Sequence, residues 1–194
     1  MSAVSTGGAA TAAAPRVAPQ VPEPLERLIA TSQVPLSLAV PDGGDQPLIE
    51  VNDAFERLTG YDRSDLLGRD CRLLQGPRTQ AAARRVLREA IEARAEGQAV
   101  ITNYRRGGEE FDNFVFLIPI VAGGGATFYL ASQFEIGAED RTRAFERHGG
   151  FLMGAVAELE TQLAGAYGVG HDALQNLDRG TVTRRRLENW AQGG

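Results

Sequence analysis

The sequence predicts an α+β fold: one antiparallel sheet of five strands with helices packed on one face. Two short apolar runs, PLSLAV and PLIEV, flank the turn PDGGDQ, which is the pattern of a hairpin. Three longer β-rich runs, QAVITNYRR, EEFDNFVFLIPIV and ATFYLASQFEI, follow one another across RGG and AGGG turns and read as consecutive antiparallel strands. Between these two groups the apolar spacing is helical, which segregates helix from strand as α+β architectures do.

In chain order, EPLERLIATS places Leu25, Leu28 and Ile29 at helical intervals and predicts a short amphipathic helix. The hairpin strands are Pro35 to Val40 and Pro47 to Val51. Asn52 is an N-cap residue type, DAFERL behind it is helical, and Gly60 stops that helix. Asp62 or Ser64 caps a further short turn, SDLLG. Thr79 opens a longer helix, QAAARRVLREAIEARAE, made of strong helix formers and expected to end at Gly97. The period then changes to two for the three long strands.

Both ends of the chain differ from this core. Residues 1–21 are rich in Ala, Gly, Ser and Pro and offer little to bury, so they read as a disordered tail. That tail lacks the basic start and Leu-rich centre of a secretory signal. Residues 22–137 form the predicted domain. Residues 138–194 return to a helical pattern: Phe145, Leu152, Leu159 and Ala166 recur every seven residues, as do Gly149, Val156 and Leu163. Such an apolar seam packs on another helix or on a sheet, so a homodimer built through this extension is expected. Asp172 and Gln175 resemble a capping box for a second helix, and TRRRLENW forms a third.

Composition narrows the function. The chain has 194 residues, 43% of them hydrophobic, with 20 basic against 25 acidic side chains and a formal net charge of -5. This balance argues against nucleic acid as the main partner, and the basic run Arg184 to Arg186 reads as a solvated charged face. No apolar window approaches the roughly 18–20 residues that span a membrane, so a cytoplasmic protein is expected. One cysteine excludes an intramolecular disulfide and a Cys-based zinc centre.

That cysteine, Cys71, lies in the polar, Gly-bounded stretch GRDCRLLQGP. A lone cysteine is most often an incidental packed thiol. A nucleophilic triad is disfavoured, because His148 and His171 both fall in the helical extension. A metal site is disfavoured because no cluster near Cys71 has ligand spacing. A thiol held beside a bound cofactor is the remaining functional reading. Arg72 and Arg88 would both reach an anion if the segment wraps onto the long helix. Asn103, Asn113 and Gln133 fall on three successive strands, and neighbouring strands can present such amides on one face. Any one strand amide is more often solvent-facing. Three together match the paired donors and acceptors of a planar heterocycle with imide edges.

GRDCRLLQGP resembles the signature GxNCRFLQG of LOV domains, the blue-light-sensing branch of the PAS superfamily. NDAFERLTGY resembles the PAS helix before that signature, ITNYRRGGEEFDNFVFLIPI the two central strands, and LASQFE the last strand with its glutamine. The resemblance covers about Pro22 to Ile136. It implies a PAS fold holding non-covalent FMN, with Cys71 as the photoactive thiol that bonds reversibly to flavin C4a under blue light. It further implies that Asp70 and Gln75 face the ribityl chain, and that Arg72 and Arg88 pair with the phosphate. Asn103 and Asn113 would hold the pyrimidine edge, Gln133 would sit near N5 and O4, and Leu117 and Phe55 would form apolar walls. The implied protein is a photoreceptor switch and not an enzyme.

Two positions depart from the signature. Asp70 stands where Asn is usual, so a carboxylate replaces an amide near the phosphate, and some riboflavin occupancy is expected. Leu73 replaces Phe. The chain has no long insertion after the Cys71 turn of the kind that accommodates FAD, which favours FMN. A competing reading from another class is a PAS interaction module, or flavin redox sensor, that forms no adduct.

Overall fold

The computed structural model describes residues 20–42, 44–122 and 127–137. The tail over 1–19 and the helical extension over 138–194, with its expected dimer seam, lie outside the described residues. The elements are helix α1 (Glu23–Thr31), strands β1 (Leu36–Ala39) and β2 (Leu48–Val51), helices α2 (Asp53–Thr59) and α3 (Arg63–Leu66), a 3-10 turn (Cys71–Leu74), helix α4 (Ala81–Glu92), and strands β3 (Gly97–Tyr104), β4 (Glu110–Val121) and β5 (Thr127–Glu135). The strands form one antiparallel sheet in the order β2-β1-β5-β4-β3.

Local chemistry sets the early boundaries. Asn52 caps α2 by accepting from the Phe55 amide at 3.0 Å. The same oxygen accepts from Leu36 N at 3.0 Å, while its amide donates to Ser32 O at 3.1 Å and Val34 O at 2.8 Å. One buried side chain thus closes α2 and fastens it to the entry of β1. Gly60 ends α2 in the left-handed region at φ 71°, where a Cβ would be strained. Asp62 occupies the N-cap of α3 without a side-chain cap bond.

The longer helix differs from expectation at both ends. Thr79 does not cap it: the N-cap is Gln80, and Thr79 Oγ1 instead donates to Thr102 O at 2.6 Å and accepts from Gly76 N at 2.9 Å. The helix closes at Glu92, and Arg94 takes the left-handed position at φ 49°. Gly97 is the first residue of β3. It is needed for packing: a Cβ there would lie 2.5 Å from Ala90 Cβ, so its absence lets β3 run tight against α4.

Alternation along the strands splits the core in two. Leu36, Leu38, Phe114, Phe116, Ile118, Ile120, Phe128 and Leu130 form one face and pack with Leu25 and Ile29 of α1. On the opposite face, Ile101, Val115, Leu117, Tyr129 and Ala131 meet Ala90 of α4. Ala39, Leu48 and Val51 meet Phe55, Leu66 and Leu74 there. The elements between β2 and β3 therefore gather on one face, and α1, which precedes β1, covers the other. The face under α2, α3, the 3-10 turn and α4 carries four buried polar residues, Ser37, Asn103, Asn113 and Gln133.

Candidate functional site

The pairing register fixes which polar residues share that face. Ile101 is opposite Asn113, Asn103 is opposite Phe111, and Val115 is opposite Gln133. Side chains alternate along a strand, so Asn103, Asn113 and Gln133 all point to the same side as Ile101, Val115 and Leu117. Ser37, opposite Ala131 on β1, joins them. All four polar residues are buried, with Asn113 wholly inaccessible.

The three amides contact one another. Asn113 Nδ2 donates to Asn103 Oδ1 at 2.8 Å and to Gln133 Oε1 at 2.7 Å. Gln133 Nε2 donates to Ser37 Oγ at 3.2 Å. Asn113 Oδ1 is buried and has no hydrogen-bond partner among the described residues. An orphaned buried acceptor is costly and calls for a donor. The N–H of an imide edge is such a donor, and the neighbouring amides can accept or donate on either side of it. The amide set therefore fits a flat, hydrogen-bonding heterocycle, with Leu117, Val115 and Ile101 as apolar floor.

Cys71 approaches this floor from the 3-10 turn. It packs against the cluster of Ala39, Leu48, Val51, Phe55, Leu66 and Leu74. The residue keeps some accessible surface, yet its thiol is desolvated, and desolvation followed by the Asp70 charge pushes its pKa from 9.0 up to about 12. Hydrogen bonding from Ser37 and Gln133 opposes that rise. The sulfur thus lies within reach of the amide set, and it is a neutral thiol rather than a thiolate. Phe55 is fully buried beneath it.

The other expected site residues fall nearer the rim. Asp70 Oδ1 accepts from Arg72 N at 2.8 Å and Oδ2 from Gln46 N at 2.9 Å, so both carboxylate oxygens are engaged by protein. Arg72 Nε lies 3.1 Å from Asp70 Oδ1, and its guanidinium also pairs with Asp45. Gln75 ends the 3-10 turn, half-buried, its N–H bonded to Arg72 O at 2.9 Å. Arg88 is exposed on α4, and no ion pair joins it to another described residue. The amides, Leu117 and Cys71 are brought together, whereas the two arginines stand apart from them.

Ser37 was not among the residues singled out from sequence. Its signal was present: it is the polar residue inside the apolar run PLSLAV, in a strand otherwise buried along its length. Asp45 and Gln46 carried no comparable signal. Among the described residues no group of three or more His, Cys, Asp or Glu side chains could hold a metal ion. No helix there is long and apolar enough to cross a membrane.

Comparison with known proteins agrees with this geometry. Residues 35–138 match the PAS domain family. A blue light receptor of Aspergillus flavus is 45% identical over 87 residues, covering 39% of this chain and 10% of that protein. Blue-light-activated histidine kinase 2 of Erythrobacter litoralis is 44% identical over 93 residues, covering 47% of this chain and 27% of that one. The chain therefore spans about a quarter or less of the length of these two relatives. The crystal structure of the Rhodobacter sphaeroides LOV protein superposes with a TM-score of 0.68 at 31% identity, covering 89% of this chain and 97% of that one. The shared sheet, the match across its strands and the likeness to light receptors have one reading: the chain belongs to the PAS superfamily and, within it, to the LOV branch of blue-light receptors.

Proposed function

We propose that this chain is a blue-light photoreceptor that holds FMN on the amide-bearing face of its sheet, with Cys71 as the reacting thiol. One observation carries the reading: a desolvated thiol lies against Ser37 and Gln133, and Gln133 belongs to three interlinked buried amides, one of whose acceptors has no partner among the described residues. Bound flavin supplies the absorption of blue light and a ring carbon, C4a, that a thiol can bond reversibly. The protein supplies position and protons. Burial disfavours the Cys71 thiolate, so with flavin bound this residue would supply both the sulfur and a proton to the ring. Asn113 and Asn103 orient the imide edge. Gln133, bonded to Asn113 and Ser37, would answer a change at the ring edge by exchanging donor for acceptor.

Arg72 and Arg88 would be the partners of the phosphate, and Arg72 must share itself with Asp45 and Asp70 to serve there. Riboflavin occupancy alongside FMN follows from that competition. The output is a change of conformation, with no substrate turned over. The light signal passes to the segment beyond Ile136, whose apolar seam assembles a homodimer that changes arrangement on illumination.

The test is optical. Purified protein should be yellow, bleach in blue light and recover in darkness, and Cys71→Ala should stay yellow and lose the reversible bleaching. Wild-type protein that stays colourless after reconstitution with FMN overturns the reading. Scattering that reports a monomer in both dark and light overturns its dimer component.

A further inference from the structure

The geometry points to Asp70 as a positioning residue for Cys71: its carboxylate fastens the thiol-bearing 3-10 turn to the β1–β2 loop, one oxygen to each. A four-residue 3-10 turn has poor internal hydrogen bonding and cannot fix its own place. The backbone ahead of Cys71 is stitched to β2 by Gly68 N to Leu48 O at 2.8 Å and Leu48 N to Arg69 O at 2.9 Å. Those bonds stop before Cys71. Asp70 extends the stitch past it, because Oδ2 accepts from Gln46 N at 2.9 Å and Oδ1 accepts from Arg72 N, beyond the cysteine, at 2.8 Å.

This bridging explains why a carboxylate stands here. An amide has one acceptor atom, so Asn at 70 would satisfy the Arg72 N–H and turn its own N–H₂ towards the Gln46 N–H, donor against donor. Asp accepts on both sides. Its side chain is only 16% exposed, and the negative charge is balanced by Arg72 Nε at 3.1 Å. The thiol is thereby held over the amide face by a bond on each side, next to a charge that disfavours the thiolate. The role deepens the proposed photoreceptor reading and rests on it only for the identity of the ligand that Cys71 faces.

Alkylation of Cys71 by iodoacetamide tests it on the full chain in darkness, as purified and after removal of flavin, at neutral pH. Asp70→Ala should raise the rate by about tenfold or more, as loss of at least one charge-assisted bond implies. Asp70→Asn, which keeps the cap to Arg72 N, should fall between that variant and wild type. Leu38→Val, a destabilising change on the far face of the sheet, should stay within about twofold of wild type, which separates local release from general loosening. If Asp70→Ala leaves alkylation unchanged and only weakens FMN and riboflavin binding, Asp70 is a ligand contact and the proposal is overturned. Asp70→Asn as reactive as Asp70→Ala also overturns it. Failure of the wild type to bind flavin would refute the photoreceptor reading, and the flavin-free alkylation rates would still decide the role of Asp70.

Discussion

Raising pH isolates the setting of Cys71. Its thiol is pushed from 9.0 to about 12, first by desolvation and then by Asp70, against weaker support for the thiolate from Ser37 and Gln133. Above pH 9 the unfolded chain releases this proton while the folded chain retains it. The unfolded state then binds fewer protons, so stability is full below pH 9 and falls as pH rises towards 12. The limiting slope is about 1.4 kcal/mol per pH unit. Because Cys71 keeps some accessible surface, a loss of about 1 kcal/mol between roughly pH 8 and 10 is expected. Burial also raises Tyr129, which weakens the fold over a neighbouring range. Urea denaturation of wild type and Cys71→Ala at both pH values cancels that contribution, since both proteins keep Tyr129. Wild type should lose about 1 kcal/mol more than the variant. Equal losses would show that the folded thiol ionises as readily as the unfolded one, and the neutral-thiol argument would fail.

Two further outcomes follow from packing and capping. Asn52→Ala should cost about 2–4 kcal/mol in urea denaturation, because it removes the α2 cap and strips side-chain partners from Leu36 N and Val34 O. Gly76→Ala should cost about 1–3 kcal/mol, since a Cβ there would fall 2.5 Å from Cδ2 and 2.8 Å from Cζ of Tyr104, whose hydroxyl bonds Arg78 N and Glu110. Adding Tyr104→Ala should recover part of the second loss in the same assay.

What could be read in the sequence, and what could not, divides by range of interaction. Asn52 and Gly60 bound α2 because a cap and a left-handed stop act within one turn of helix. The amides were legible because β-alternation and consecutive strands place Asn103, Asn113 and Gln133 on one face without further information. The end of α4 was not legible. Gly97 looks like a helix stop in sequence, and its use against Ala90 emerges only when β3 folds back on α4. Asp70 was legible as a departure from a signature and illegible in its role, since Gln46 is 24 residues away in a turn with no distinguishing pattern. Arg72 shows the same limit: its position in the signature says nothing of Asp45, which claims it across 27 residues.

On the proposed photoreceptor reading, the place of Gln133 in the sheet suits a switch. Gln133 sits on β5, the central strand, between β1 and β4. Its side chain bonds Asn113 on β4 and Ser37 on β1, and its backbone N–H bonds Pro35 O at 2.9 Å. A change in the hydrogen-bonding demand on Gln133 is therefore felt by both neighbouring strands at once. Three residues later, Ile136 N bonds Asp112 O at 2.8 Å, closing β5 onto β4 just before the chain leaves for the extension. Neither set of contacts is redundant. Buried amides must remain paired, so a reversed Gln133 cannot keep Asn113 and Ser37 as they are. Re-pairing has its shortest route to the chain beyond the sheet where β5 ends, at the Ile136 N bond to Asp112 O. On the proposed photoreceptor reading, a signal would run from the thiol through the Gln133 amide to the end of β5, where Ile136 leaves the sheet.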